Sequence, residues 1–154
     1  MQKRLNWRLM LISLLTVCLV AAVGSISFRK DGWYESVKPS FTPPDYVFPI
    51  VWSMLYLLIA LSLYLAWMAA RGGQKPLMVI LFAVNLLANM LWTHFFFGLH
   101  MPLLAFADLA LIWLTTAALL IALRAVNRTA ELLLVPYLLW VSFAGVLNAA
   151  VAFG

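Results

Sequence analysis

Read for apolar and polar positions, the chain divides into five long apolar runs separated by short polar breaks. The runs cover residues 9–28, 47–70, 76–97, 102–123 and 130–153. Each is as long as a helix must be to cross a hydrocarbon layer, about 20 residues. The short alternating segments of a membrane β-barrel do not occur. The pattern predicts an all-α polytopic membrane protein, a bundle of five transmembrane helices forming a single domain over residues 1–154.

The breaks carry their own signals. Residues 29–46, RKDGWYESVKPSFTPPDY, form the longest loop. Pro39, Pro43 and Pro44 each fix φ and bias the preceding residue away from helix, which predicts a stiff, extended linker. Pro49 fits the first turn of a helix beginning near Tyr46, and Pro76 and Pro102 stand where the third and fourth helices should begin. Trp33, Tyr34, Phe41, Tyr46 and Trp52 place rings around the linker. They read either as an interfacial belt or as a lid over a pocket.

Composition narrows the class. Apolar residues make up 66% of the 154 and charged residues only 10%, against about a quarter charged in soluble domains. A soluble fold of this size has too much surface to cover with so few charges. The single cysteine, Cys18, excludes an internal disulfide and a cysteine-built metal site. A basic start, an apolar run and small residues near Ala21 also fit a secretory signal peptide, but the run is long and four more follow it. Lys3, Arg4, Arg8, Arg71, Lys75, Arg124 and Arg128 fall on one side of the predicted bundle, with Glu131 alone against them. Arg29, Lys30 and Lys38 on the other side are balanced by Asp31, Glu35 and Asp45. This bias puts the N-terminus in the cytoplasm and the C-terminus outside. The net charge of +5 thus speaks for orientation and not for nucleic-acid binding. No internal repeat is visible.

The polar residues inside the runs are the candidate chemistry. Asp108 is the one acid deep in a span, and it should face the bundle interior as a ligand-contacting or proton-handling group or as a tie between helices. Thr115 lies seven residues on, near the same face, and Thr116 follows it; these hydroxyls can also bond to their own backbone. Asn85, Asn89, Trp92 and Phe96 recur at helical spacing, and amides in lipid need partners, so this face should point inward. Tyr137, Trp140, Ala144 and Asn148 share a face of the fifth run, with Gly145 and Ala149 as a small-residue pair beside them. Pro136 should bend that helix or unpair one turn. Trp52 and Tyr56 are four apart in the second run. Such strips could simply pack the bundle, or they could enclose a cleft for a flat apolar ligand, with rings stacked on it and amides at its polar edge. His94 falls on another face, as an iron ligand or as a wetted side chain near the surface. His100 lies in a turn.

These residues together resemble the tryptophan-rich sensory proteins, whose relatives include the mitochondrial translocator protein, formerly the peripheral benzodiazepine receptor. Trp33-Tyr34, Lys38-Pro39 to Pro43-Pro44 and Val47-Phe48 with Val51-Trp52 resemble the first-loop block. Asn89, Trp92 and Phe96-Phe97-Gly98 resemble the third-helix block. Asp108 with Trp113 falls in the fourth. Pro136-Tyr137-Leu138, Trp140-Val141, Phe143-Ala144 and Leu147-Asn148 resemble the fifth. The resemblance implies a bacterial member of a family of five-helix membrane proteins, usually dimeric, that bind porphyrins such as protoporphyrin or haem, with no cofactor required. Its pocket would be lined by Tyr34, Pro43, Trp52, Asn89, Trp92, Trp140 and Ala144, with Asp108 and Trp113 as neighbours. It also implies a role in tetrapyrrole regulation, with light-dependent porphyrin breakdown involving Trp52 and Trp140 as a proposed activity; transport of tetrapyrroles or sterols, or a structural or partner-binding dimer, are the alternatives. Two departures stand out. His94 occupies a position where relatives more often have serine or proline. No Lys or Arg follows Tyr137, so the short sterol motif is not completed there and sterol is a doubtful ligand.

Overall fold

The computed structural model describes residues 6–26 and 32–154. Its elements are α1 (Trp7–Ile26), α2 (Trp33–Val37), α3 (Val47–Ala69), α4 (Lys75–Thr93), a π-helical turn (His94–Gly98), α5 (Pro102–Arg124) and α6 (Arg128–Phe153). Among the described residues there is no strand. Five segments are long and apolar enough to cross a membrane: α1, α3, α4 with the turns flanking it, α5 and α6. The protein is a five-helix membrane bundle, and its spans lie within a few residues of those read from the apolar runs. Residues 27 and 28 of the first expected span lie outside the described residues, as do Lys3, Arg4, Arg29, Lys30 and Asp31 of the charge pattern.

Local chemistry sets the helix boundaries. Proline stands in the first turn of α4 and of α5, where its missing N–H costs nothing. Asn127 caps α6, its side chain accepting from the Ala130 N–H at 3.0 Å and so satisfying one of the free donors of a helix start. Arg128 and Glu131 pair within the first turn of that helix. The helix then runs through Pro136 without interruption. Proline removes only one ladder bond there, and the neighbouring helices hold the rest.

The first loop departs from expectation. It holds a helix ahead of the linker of residues 39–44 and a turn within that linker. The short helix, α2, opens the loop, and a tight turn at Ser40 and Phe41 follows. Both the backbone N–H and the hydroxyl of Thr42 donate to the Pro39 carbonyl, at 3.0 and 2.7 Å. The prolines do prevent helix between Lys38 and Pro44, but they shape a turn. Lys38 then ties the loop, its ammonium 2.6 Å from Glu35 and 3.7 Å from Asp45.

Packing is uneven around the bundle. α5 and α6 bury Ala105, Leu109, Ile112, Leu119, Leu123, Leu134 and Val141 against their neighbours, and Leu109 lies over Gly145. Along α1 only Ser13, Val17 and Gly24 are buried.

Candidate functional site

A cavity of about 780 Å³ lies between α1, α3, α4, α6 and the first loop. Nine of its 21 lining residues are aromatic. α3 supplies Phe48, Trp52 and Tyr56, α4 and the π-helical turn supply Trp92, Phe96 and Phe97, and α6 supplies Trp140. These rings are four or so residues apart on each helix, which is why they share a face. They also brace one another. Trp92 stacks on Phe96 with centroids 5.3 Å apart, Trp52 lies 5.5 Å from Tyr56, and Trp140 meets Phe48 edge-on at 5.9 Å and Phe143 at 5.6 Å.

Beneath the rings runs a chain of polar side chains. The Tyr56 hydroxyl donates to Asn89 Oδ1 at 2.8 Å. Asn89 Nδ2 donates to the Tyr137 hydroxyl at 3.1 Å, and that hydroxyl donates to Asn85 Oδ1 at 3.0 Å. Asn85 Nδ2 then donates to Thr115 and Thr116 at 2.8 and 2.9 Å. Thr116 donates its own proton to the Ile112 carbonyl at 2.7 Å, and Thr115 donates to the Leu111 carbonyl at 2.8 Å, with Ile112 at 3.0 Å as the alternative acceptor. A second link joins Trp92 Nε1 to Asn148 Oδ1 at 3.0 Å, while Asn148 Nδ2 reaches the Pro102 carbonyl at 2.8 Å. Inside a bilayer such groups find no water, so this mutual satisfaction is what allows them to be buried. Trp140 differs. Its Nε1 is buried and has no hydrogen-bond partner among the described residues.

The first loop crosses one end of the cavity, contributing Gly32, Tyr34, Glu35, Asp45 and Tyr46 to its lining. Gly32, with φ of 80°, turns the chain into α2, a conformation that suits glycine. Trp33 stacks on His100, centroids 4.4 Å apart, and meets Phe96 edge-on at 5.4 Å. Tyr34 meets Phe96 and Phe97 at 5.9 and 5.4 Å. Burial pushes the Tyr34 phenol above its ordinary pKa, and the nearby Thr42 hydroxyl acts against that shift. The π-helical turn sets up this contact. It closes through the Leu99 N–H on the His94 carbonyl, and the added residue in the turn re-aims the side chains after it.

Six of the seven residues expected to line a pocket lie on this wall: Tyr34, Trp52, Asn89, Trp92, Trp140 and Ala144. Pro43 does not, nor do the expected neighbours Asp108 and Trp113. Pro43 sits in the loop between covering residues without joining the wall. Asp108 and Trp113 belong to α5, which contributes no residue to the cavity. α5 lies behind α4 and α6. Trp113 is 40% exposed on the outer side and donates from Nε1 to Ser142 at 2.9 Å. Asp108 is half-buried, and its Oδ2 has no hydrogen-bond partner among the described residues. His94 is exposed and is not part of the lining. Among the described residues no group of three or more His, Cys, Asp or Glu side chains is arranged to hold a metal ion.

Sequence reasoning missed the α1 side of the wall, Ala21, Gly24 and Ser25. These small residues read as the end of a signal peptide, yet they let α1 approach closely. A Cβ placed on Gly24 would lie 3.8 Å from the Met90 backbone of α4. The His100 stack was missed as well, since nothing in a turn histidine announces a ring partner almost seventy residues upstream.

A bundle of five apolar helices, four of them enclosing a ligand-sized cavity, defines an integral membrane protein with an internal small-molecule-sized hollow. Residues 10–153 match the family model of the TspO/MBR family, and the chain belongs to that family. It is 38% identical to the tryptophan-rich protein TspO of Chlorobaculum tepidum over 86% of this chain and 87% of that one. It is 37% identical to protein CrtK of Rhodobacter capsulatus, covering 87% and 85%. Sheep translocator protein is similar too, at 37% identity over 82% and 78%.

Proposed function

We propose that the protein is a membrane receptor for a porphyrin or a similar flat, largely apolar molecule, held in the aromatic cavity. The observation that carries this reading is the position of Trp52 and Trp140. They come from helices far apart in sequence and border one hollow. The volume falls within the range of small-molecule sites, roughly 300–1,000 Å³. Rings at the wall suit a conjugated macrocycle, which gains from stacking and edge contacts as well as from burial. The polar groups along the floor are already paired with one another, whereas the Trp140 N–H is a donor without a partner. A ligand with an acceptor at its edge matches that arrangement. The first loop would act as the lid of this pocket.

The orientation proposed is N-terminus in the cytoplasm of a bacterial cell. Arg8, Arg71, Lys75, Arg124 and Arg128 all lie at the ends of spans on the N-terminal side, with Glu131 as their acidic counterpart, while Glu35, Lys38 and Asp45 offset one another at the other end. The test of function is a titration of tryptophan fluorescence with protoporphyrin in detergent or nanodiscs. Saturable quenching at micromolar porphyrin is expected. No quenching would refute the reading. Illumination of the bound complex in oxygen, with analysis of products, separates a passive receptor from one that degrades its ligand through Trp52 and Trp140. Protein-dependent flux across sealed vesicles would favour a transporter instead.

A further inference from the structure

A second hollow, about 310 Å³, lies on the outer side of the bundle between α1 and α3. Its walls are Leu14 and Cys18 from α1 and Ser53, Leu57 and Ala60 from α3, with Ala21 and Tyr56 at its inner end. Ala21 and Tyr56 also line the main cavity. The two hollows therefore share these two residues as a common boundary. Cys18, Ser53 and Leu57 are exposed, so the outer end of the groove faces the hydrocarbon of the bilayer.

The way α1 is held explains the gap. Near its start it is tied to α3, where the Asn6 N–H donates to the Tyr64 hydroxyl at 3.2 Å. Near its end it leans on α4 instead, through Gly24 against Met90 and Thr93. The seam between α1 and α3 therefore opens as a wedge. Small side chains at Cys18, Ala21, Ser53 and Ala60 leave the hollow between the two helices unfilled. At the loop end, by contrast, the cavity is crossed by residues clipped down through the Trp33–His100 stack and the Lys38 ion pairs.

We propose that this groove is the lateral passage by which the flat apolar ligand moves between bilayer and cavity, with Ala21 and Tyr56 as its threshold. The inference rests on the receptor reading above. A molecule of this kind partitions into hydrocarbon, so a side door spares it a transfer through water. The Tyr56 hydroxyl is fastened to Asn89 inside the cavity, so a ring lying across the threshold is anchored to the same polar chain that floors the site.

The test is stopped-flow quenching of tryptophan fluorescence, with protoporphyrin supplied in the lipid of nanodiscs holding the full chain. Two variants, Cys18→Phe and Ser53→Phe, fill the groove from lipid-facing positions that do not line the cavity. N-phenylmaleimide on Cys18 of the unsubstituted chain does the same without a mutation. Association and dissociation should both slow about tenfold, leaving the equilibrium midpoint within about twofold. Unchanged rates with a normal midpoint would overturn the passage and leave the receptor reading standing. A midpoint shift carried by dissociation alone would make the groove part of the binding site, and would also overturn it. So would a large acceleration on loosening the loop with Trp33→Ala, because traffic would then run under the lid. Absence of quenching in the unsubstituted protein refutes both proposals.

Discussion

The two sides of the bundle are built on different principles. The side formed by α4, α5 and α6 is solid. Its buried amides and hydroxyls are bonded from Asn89 through Tyr137 and Asn85 to Thr115 and Thr116. The side formed by α1 and α3 is hollow, walled by rings on one flank and by small residues on the other. In a bilayer, lipid is as apolar as leucine, so burial alone gives helices little reason to associate. The polar chain supplies that reason on the solid side and leaves α1 free to stand off. A membrane bundle can thus hold a cavity open without losing its fold, provided directional bonds tie together the helices that floor it.

This contrast is broken most directly at Asn85. Asn85→Leu would strand the Tyr137 hydroxyl without its acceptor and remove the donor to both threonines. The expected loss is about 2 kcal/mol, given that buried polar groups in membranes find some alternative partners. A chain of this length should then melt about 4–8 °C lower, read by a thermal scan in detergent. A variant that melts with the parent protein would show that packing, and not the polar chain, holds the solid side.

Two indoles on the same wall sharpen the contrast. Trp140→Phe removes an N–H that the fold does not use, so melting should be unchanged while the protoporphyrin midpoint weakens about tenfold, the order expected from lost ring contact and one lost donor. Trp92→Phe removes the donor to Asn148, so it should lower the melting temperature as well as the affinity. Equal behaviour of the two variants would erase the distinction between a residue held for the ligand and one held for the fold.

A smaller effect is expected at the loop. Trp33→Ala removes a stack worth about 1 kcal/mol. Amide exchange in residues 32–46 should quicken by about fivefold, with α3 to α6 unaffected, as hydrogen-exchange mass spectrometry would show. Spread of the change into α4 would mean that the π-helical turn depends on its partner ring.

The physical reasons for what was legible in the sequence differ by feature. The spans were legible because a helix in hydrocarbon must be apolar for its whole length, which leaves little freedom at its ends. The strips Trp52–Tyr56, Asn89–Trp92–Phe96 and Trp140–Ala144–Asn148 were legible because helical spacing alone fixes a shared face. Ala21, Gly24 and Ser25 were not, since a wall made of small residues has no large side chain to signal it. The stack of Trp33 on His100 was not legible either. It depends on a π-helical turn, and a 3.6-residue period cannot place the side chains that follow one. The short helix α2 was not legible because five residues are too few to show a helical period.

Asp108, expected as a neighbour of the pocket, lies off its wall, and it supports the smallest effect expected here. A carboxyl in a span reads as inward because burial in lipid is costly. Inward, however, means toward any neighbouring helix, and α5 has only the solid side to face. Leu109 beside it covers Gly145, and Asn85 takes up Thr115 and Thr116 further along. The cavity lies beyond α4 and α6, with no residue of α5 on its wall. Asp108→Asn keeps the size of the side chain and should leave the protoporphyrin midpoint within about twofold of the parent. A tenfold shift in that titration would place α5 in contact with the ligand and would undo the division between a solid and a hollow side.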